Sequence, residues 1–449
     1  MSNTFNLLKL TTFGVKNIEK PVSLLFSNKT IDKGVKKFTN VKGVFGYNGS
    51  GKTALMTSIL LYKRIVLNDR YLLQDVVTSK LQKLINKKTQ AFSFDAVFEV
   101  EKRIIKHHIS LQYDSLENGY VLKNETVEVC KGRTLEENWE VLAKANEGVM
   151  NISPKYDRKE NVAFQEFKKK RYLSGSFLLG FLRTFLSFSK EKNKKELIEK
   201  IDDDFAMPLL NSLLAVFNIN VFLRAEDKHD SYFVSVQDAL AKMQSQLDFL
   251  KSFNLQDPFL NSEIVRKDKI ENYQKKIARA ADFIKLFKPN LQSIDVEKKE
   301  KGDFYQVNKI FVYKDYRIDF EFESSGIKHL VNMFDALNAC AHGEIVFIDE
   351  MDANINSVYF QKLIEFFQKY GKGQLCFTSH DLSVMSSLKK QGKAITFLGE
   401  DCETDDWVPF GNRSPINEYK QGFIEHSPMN IEDFDFLPIF FADEKEGRE

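Results

Sequence analysis

The sequence is poor in cysteine and has no excess of charge of either sign. Only four cysteines occur in 449 residues and none lies in C-x-x-C spacing, so neither a disulfide framework nor a zinc knuckle is indicated. Cys340 and Cys376 lie in apolar surroundings, where we expect them to act as small core residues. With 65 basic and 63 acidic side chains the net charge is +2, which excludes a global attraction to nucleic acid or to anionic lipid.

Long apolar segments are also missing. The first 13 residues lack the apolar core of a signal peptide. The most apolar stretch, 177–188, contains Arg183 and is too short to span a bilayer, so it is interpreted as a buried helix. We therefore predict a cytoplasmic protein without a membrane partner. A length of 449 residues allows roughly two to three domains with sizeable cores.

What the sequence does contain is a complete phosphate-binding loop. Residues 46–53 match G-x-x-x-x-G-K-[ST], in which glycines let backbone N–H groups point at phosphate oxygens. A predicted strand, 41–45, precedes the loop and a predicted helix, 54–61, follows it; this context separates it from a chance glycine turn. The predicted phosphate ligands are Gly46, Asn48, Gly49, Ser50, Gly51, Lys52 and Thr53, and the Thr53 hydroxyl is also predicted to hold Mg²⁺.

A second strand of the site ends in two carboxylates. Residues 345–348 form an apolar run typical of a strand buried on both faces, and Asp349 and Glu350 follow it. Asp349 is predicted to hold the hydration shell of Mg²⁺, and Glu350 to orient or deprotonate an attacking water. The alternative is a core strand that ends in a solvated acidic turn.

Two further stretches could reach a γ-phosphate. The Ser324-Ser325-Gly326 sequence is predicted to open a helix, where hydroxyls and free N–H groups favour an anion. The stretch 374–381 is predicted to contain another apolar strand that ends at His380, from which the imidazole can reach the γ-phosphate or the attacking water. For His380 the alternative is a purely structural role.

The remaining pattern divides the chain into three parts. Strands are predicted at both ends of the chain, and the first part includes an antiparallel layer beside the site. Helical patterns dominate in between, including 205–217, 234–253 and 264–287. The predicted division is an N-terminal half of the nucleotide fold at 1–156, a helical insertion at 157–287 and a C-terminal half at 288–449.

In this order, the phosphate loop, Ser324–Gly326, Asp349-Glu350 and Thr378-Ser379-His380-Asp381 resemble the ABC-type ATPase heads of SMC, RecF and OLD proteins. The sequence is most similar to compact OLD-like AAA-domain ATPases of bacterial anti-phage and abortive-infection systems, such as the ATPase subunits of PARIS, Septu and retron-linked systems. The resemblance implies an α/β P-loop NTPase of ABC-ATPase head type, with a mixed sheet, an antiparallel β-layer and a helical insertion.

The resemblance also implies partners and roles. In such heads the signature serine acts on the nucleotide of the other protomer, so ATP and Mg²⁺ would lie between the two subunits of a homodimer or a higher homo-oligomer. Ser324, Ser325 and Gly326 would then contact nucleotide, and Glu350 and His380 would be the catalytic residues.

Three departures from the family pattern are visible. Residues 323–327 replace the Leu-Ser-Gly-Gly-Gln signature of ABC transporters, which points away from transporters. Residues 355–357 replace a common Leu-His-Pro, which leaves the contact between protomers open. A glutamine-loop residue is not evident; Gln90 is the candidate, and its alternative is an ordinary surface residue.

After His380 the sequence has 69 residues, whereas the Toprim nuclease domain of OLD proteins needs roughly a hundred. Asp433 and Asp435 have a metal-site spacing, but they are interpreted as part of a solvated loop, as are the acidic residues of 400–406. We therefore expect no nuclease in this chain. The resulting hypothesis is an ATPase that serves as sensor or scaffold for a separate effector protein, a nuclease or a toxin.

The competing hypothesis is a DNA-repair or DNA-binding ATPase similar to RecF and SMC. Its candidate DNA contacts are the basic runs 168–171 and 190–200, for both of which the alternative is a solvated helix face; in 190–200 three glutamates interrupt the positive charge, which favours that alternative. A third reading, an interaction protein with an inactive site, is disfavoured because Lys52, Asp349 and Glu350 are all present.

Overall fold

The computed structural model describes residues 5–27, 39–101, 103–132, 135, 138–157, 162–189, 203–223, 260, 264–409, 411 and 413–424. Within these residues the chain forms three sheets. Their strands are β1 Phe5–Phe13, β2 Val22–Leu25, β3 Val41–Phe45, β4 Ala91–Val100, β5 Arg103–Asp114, β6 Gly119–Cys130, β7 Trp139–Asn146, β8 Val149–Ile152, β9 Ile219–Phe222, β10 Ile264–Arg266, β11 Leu291–Lys301, β12 Phe304–Tyr313, β13 Arg317–Asp319, β14 Ile345–Ile348, β15 Gln374–Thr378, β16 Ile395–Leu398 and β17 Thr404–Asp406.

Helices flank these sheets. The α-helices are α1 Lys52–Leu67, α2 Asp75–Leu84, α3 Val162–Lys169, α4 Phe177–Ser189, α5 Asp203–Phe217, α6 Ile270–Lys285, α7 Ser325–Ala341, α8 Ser357–Tyr370, α9 Met385–Leu388 and α10 Pro415–Lys420. Short 3₁₀ turns are found at Tyr71–Leu73, Lys267–Lys269, Phe320–Phe322 and Leu382–Val384.

The central sheet has the order β17-β16-β3-β15-β14-β9 and is parallel except for its edge strand β17. Every residue of β3, β14 and β15 is buried, because helices and the second sheet cover both faces. The carboxyl ends of these three strands meet at one edge of the sheet. Each of them carries one of the predicted site sequences, so the topology brings those sequences together.

The second sheet is antiparallel, in the order β2-β1-β4-β5-β6-β7-β8. In β4 and β5 buried and half-exposed residues alternate, as expected for a sheet with one face in the core. Gln374 of β15 joins the two sheets, since its side chain accepts from the Leu7 N–H at 2.6 Å and donates to the Leu7 carbonyl at 2.9 Å. Helix α1 and its apolar neighbours share the core between these sheets.

A hairpin of β11 and β12, joined by β10 and β13, forms the third sheet. With α6, α7 and α8 it builds a second apolar core on the other face of the central sheet. The predicted fold class is confirmed in its α/β architecture, with a mixed sheet and an antiparallel layer.

Two sequence predictions need correction. The helix predicted at 264–287 begins only at Ile270, because Ile264–Arg266 pairs with β12 as the short edge strand β10. The predicted helical insertion 157–287 is not wholly helical, because Ile219–Phe222 forms β9 and pairs in parallel with β14 in the central sheet. The division at residues 156 and 287 remains a prediction. The predictions for 190–200, 234–253 and 433–435 fall outside the described residues.

The apolar stretch predicted as a buried helix is α4, whose Phe177, Leu178 and Leu182 are buried. Among the described residues no helix is long and apolar enough to cross a membrane.

Candidate functional site

The phosphate loop lies between β3 and α1. At three of its positions the backbone conformation or a close neighbour would make any residue other than glycine strained. Gly49 and Gly51 have φ of 89° and 103°, in the left-handed region that favours glycine. A Cβ on Gly46 would lie 2.3 Å from the Leu398 carbonyl oxygen at the end of β16. Asn17, in the turn after β1, donates to the Gly49 carbonyl at 2.6 Å and so fixes the loop from outside. The loop is thus held in shape by its neighbours.

Lys52, the first residue of α1, is buried against the loop. Its ammonium donates to the carbonyls of Gly46 and Tyr47, at 2.7 and 2.6 Å. Burial lowers the pKa of Lys52, and the nearby carboxylates, Asp349 foremost, counteract that shift. The ammonium therefore lies between the loop and the acidic residues, where it can bind the phosphates of a nucleotide.

Asp349 and Glu350 follow β14 at the same edge of the sheet. Asp349 is buried, and its Oδ1 accepts from the Thr378 hydroxyl at 2.7 Å. Glu350 is only partly buried and has a φ of 49°, a left-handed conformation that is rare for a non-glycine residue. Such a backbone persists only where its surroundings hold it, and it is often found at functional sites.

His380 follows β15 and is exposed at this edge. Asp352 fixes its backbone, because one carboxylate oxygen, Oδ2, accepts from the N–H groups of His380 and Asp381, both at 3.1 Å. The loop after β14 and the loop after β15 are therefore joined, and the imidazole is free to face a ligand.

The Ser-Ser-Gly sequence opens a helix, as predicted. Ser324 caps α7, and its hydroxyl accepts from the Ile327 N–H at 3.3 Å. Both serines are exposed, and the Gly326 backbone approaches Asn354 so closely that a Cβ would lie 3.4 Å from it. This helix end therefore borders the loop that follows Asp349 and Glu350 and is accessible to a second molecule.

The donors at the site fit Mg²⁺. The Thr53 hydroxyl is exposed at the start of α1, and the Asp349 carboxylate lies at the end of β14. In nucleotide sites Mg²⁺ is coordinated by hard oxygen ligands of this kind. One or two come from the protein, and the rest come from phosphate and water. The described residues contain no cluster of three or more His, Cys, Asp or Glu that could hold a metal ion.

Reasoning from the sequence assigned no role within the site to three residues: Asn17, Asp352 and Thr378. Each makes a hydrogen bond from its side chain to the main chain of another loop, and no pattern of residues along the sequence predicts such a hydrogen bond. Gln90, the glutamine-loop candidate, is exposed before β4 with a φ of 46° and keeps its status as a prediction. The assignment of nucleotide, metal and catalytic roles to single residues likewise remains a prediction.

The basic and acidic runs are partly neutralised in the described structure. Lys168 of the run 168–171 pairs with Asp157 at 2.6 Å, whereas the three residues that follow it are exposed. In the acidic run 400–406, predicted as a solvated loop, the last three residues instead form β17, and Asp406 pairs with the buried Lys42 at 2.9 Å.

The chain is similar to several solved structures over most of its length. An Smc head domain from Pyrococcus furiosus, bound to the C-terminal domain of ScpA, matches 94% of this chain and all of its own at 13% identity and a TM-score of 0.41. An Smc head domain from Pyrococcus yayanosii matches the same shares of both chains, at 12% identity and a TM-score of 0.44. RecF, a recombination mediator, matches 91% of this chain and 99% of its own, at 10% identity and a TM-score of 0.38.

No curated protein matches the sequence. A protein-family model does match, over residues 43–386, a range that begins in β3 and ends in α9. It includes the phosphate loop, the Ser-Ser-Gly helix start, the acidic pair and His380. The chain, an α/β protein, therefore belongs to the family described as "AAA domain, putative AbiEii toxin, Type IV TA system".

Proposed function

We propose that the protein binds and hydrolyses ATP in a sandwich between two copies of this chain. The observation that carries the proposal is the convergence of three strand ends. The loop after β3, Asp349-Glu350 after β14 and His380 after β15 lie at one edge of the sheet. This arrangement supplies a phosphate cradle, a cation ligand and two groups beside the attacking water.

Each residue has a distinct role in this proposal. Lys52 exchanges its loop carbonyls for the β- and γ-phosphate oxygens, and the N–H groups of the loop hold the phosphates. Bound Mg²⁺, held by Thr53 and Asp349, supplies positive charge that neutralises the phosphates. Glu350 orients or deprotonates the attacking water, and His380 binds the γ-phosphate or that water.

A second copy completes the site. Ser324 and Ser325 are exposed at the start of α7, a helix of 17 residues whose N-terminus favours a phosphate. In the part of the chain that the structure describes there is one phosphate loop and one such serine pair, so two chains facing each other form two equal sites. ATP binding then closes the dimer, and hydrolysis reopens it.

Replacement of Glu350 tests the hydrolytic role. Glu350→Gln keeps the size and polarity of the side chain but cannot accept the proton of the attacking water. We expect phosphate release to slow about 100-fold or more, within the range of a general base, while a fluorescent ATP analogue still binds normally. Hydrolysis at the wild-type rate would show that Glu350 is not the base. Absence of hydrolysis in the wild type would contradict the proposed activity itself.

A bulky cation at the helix start tests the sandwich. Ser325→Arg is expected to block closure without loss of nucleotide binding. Mass measurement by light scattering, with ATP and Mg²⁺ on the Glu350→Gln background, should show dimers with Ser325 present and monomers with Ser325→Arg. The same ATP-dependent mass for both chains would contradict a composite site.

We further propose that the ATPase is the sensor or scaffold of a bacterial anti-phage system of the abortive-infection type, and that it controls a separate effector. The family description, which names a toxin and a toxin–antitoxin system, supports a defence role. Protection from phage should then require both the neighbouring genes and an intact phosphate loop, so Lys52→Ala should abolish it in a plaque assay. DNA cleavage by the purified chain alone, with Mg²⁺ or Mn²⁺, would contradict a separate effector.

A further inference from the structure

Thr378, the last residue of β15, connects Asp349 and the main chain of Glu350 to the sheet. It is fully buried, and it lies in register with Val44 of the phosphate-loop strand on one side of β15. On the other side its hydroxyl donates to Asp349 Oδ1 at 2.7 Å and accepts from the Glu350 N–H at 2.8 Å. Its carbonyl accepts from the Met351 N–H at 3.1 Å. Three consecutive residues after β14 are thus bonded to this one threonine.

The direction of the two hydroxyl bonds follows from the chemistry of the partners. A backbone N–H can only donate and an ionised carboxylate can only accept. The hydroxyl proton of Thr378 must therefore point at Asp349, and an oxygen lone pair must face Glu350. The hydroxyl thus acts as donor to one partner and as acceptor from the other. No other rotation about its C–O bond would make both hydrogen bonds.

We propose that Thr378 is a positioning residue for the reaction, a role that rests on the function proposed above. Its hydroxyl holds Asp349 Oδ1, and Oδ2 would then be the oxygen left to bind the cation of a nucleotide. The same hydroxyl holds the main chain of Glu350 in its left-handed conformation, with a φ of 49°, and so places the carboxylate beside the attacking water. Partners of this kind tune a metal site by about 10–100-fold in affinity or activity.

Three variants test this role, and the decisive pair, Ser and Ala at position 378, differs by a single oxygen atom. Thr378→Ser keeps the hydroxyl, Thr378→Ala lacks it with the same loss of the methyl group, and Thr378→Val keeps the shape but not the hydrogen bonds. Mn²⁺ affinity in the presence of a non-hydrolysable ATP analogue is measured by electron paramagnetic resonance. Affinity for the same analogue in EDTA reports on the phosphate loop alone.

We expect Ala and Val to weaken Mn²⁺ binding by about 10–100-fold and to lower kcat, whereas Ser stays within about threefold of wild type. Affinity in EDTA should be the same for all four proteins, and excess Mg²⁺ should restore part of the kcat of the Ala and Val variants. A threonine that served only the stability of the sheet would not shift the dependence on metal.

Equal Mn²⁺ affinity and equal kcat for the Ser and Ala variants would overturn the proposal. This pair decides the matter even if the Val variant does not fold. Should the wild type hydrolyse no ATP, the proposed function fails, but the Mn²⁺ comparison still tests Thr378, so the two failures are distinguishable.

Discussion

Lys63 on α1 gives a stability prediction whose magnitude follows from the structure. The side chain is buried in the core between α1 and β9, with its ammonium donating to the Ile219 carbonyl and lying 3.5 Å from the Asn220 amide oxygen. Burial lowers the pKa of Lys63 from 10.5 to about 8, and the charge of Glu344 offsets only part of that effect. The folded protein therefore loses this proton at a lower pH than the unfolded chain does.

The sign and size of the effect follow from proton linkage. Between pH 8 and 10.5 the unfolded chain binds more protons than the folded one at this position, so the free energy of unfolding should rise with pH. The difference between 10.5 and about 8, at 1.36 kcal/mol per pH unit, amounts to about 3 kcal/mol. This contribution is present above pH 10.5 and is lost as the pH falls through about 8.

Replacement by methionine isolates this contribution from other groups that titrate at alkaline pH. Lys63→Met keeps an unbranched side chain of similar length and removes the titratable ammonium group. Lys390→Met, at an exposed position, controls for the loss of a lysine as such. Urea unfolding at pH 7.5, 9 and 10.5 should show wild type gaining about 3 kcal/mol relative to Lys63→Met across this range. Parallel stabilities of wild type and Lys63→Met would refute the reasoning.

Two other changes have matched controls. Asp335→Ala removes a buried carboxylate that lies 2.5 Å from the buried ammonium of Lys276, and it should cost about 3–5 kcal/mol in urea unfolding. Glu365→Ala, from an exposed pair, should cost less than about 1 kcal/mol, and equal costs would contradict the role of burial. Gly46→Ala adds a Cβ 2.3 Å from the carbonyl oxygen at the end of β16 and should weaken binding of an ATP analogue about tenfold or more, whereas Gly392→Ala, which meets nothing within 4 Å, should not. Unchanged affinity for Gly46→Ala would show that the loop has room to adjust.

The parts of the site that could be predicted are those whose chemistry is local. The phosphate loop needs glycines and a helix start in one short segment, and Gly49 and Gly51 have the positive φ that this requires. The apolar runs before Asp349 and His380 predicted strands buried on both faces, which β14 and β15 are. Ser324 at the helix start was predicted from the preference of serine for caps, and it caps α7.

Other parts depended on contacts between distant segments. Ile264–Arg266 continues a helical pattern in the sequence, yet it pairs with β12, because tertiary contacts override local propensity in so short a segment. A lysine is unexpected in a buried strand such as β3. The partner that Lys42 binds there, Asp406, lies 364 residues further along the chain, in a run predicted to be solvated, so the sequence did not indicate the pair.

By itself, the sequence determined which segments could bind phosphate, hold a cation and act on water, because each of those tasks needs particular residue types at fixed spacing. Only the tertiary structure decided how these segments are held together. The parallel order of β3, β15 and β14 brings their ends to one edge, and the bonds of Asn17, Asp352 and Thr378 fix the loops there. Such bonds join residues that are far apart in the chain, and their energy depends on distance and direction in space, which no local pattern records.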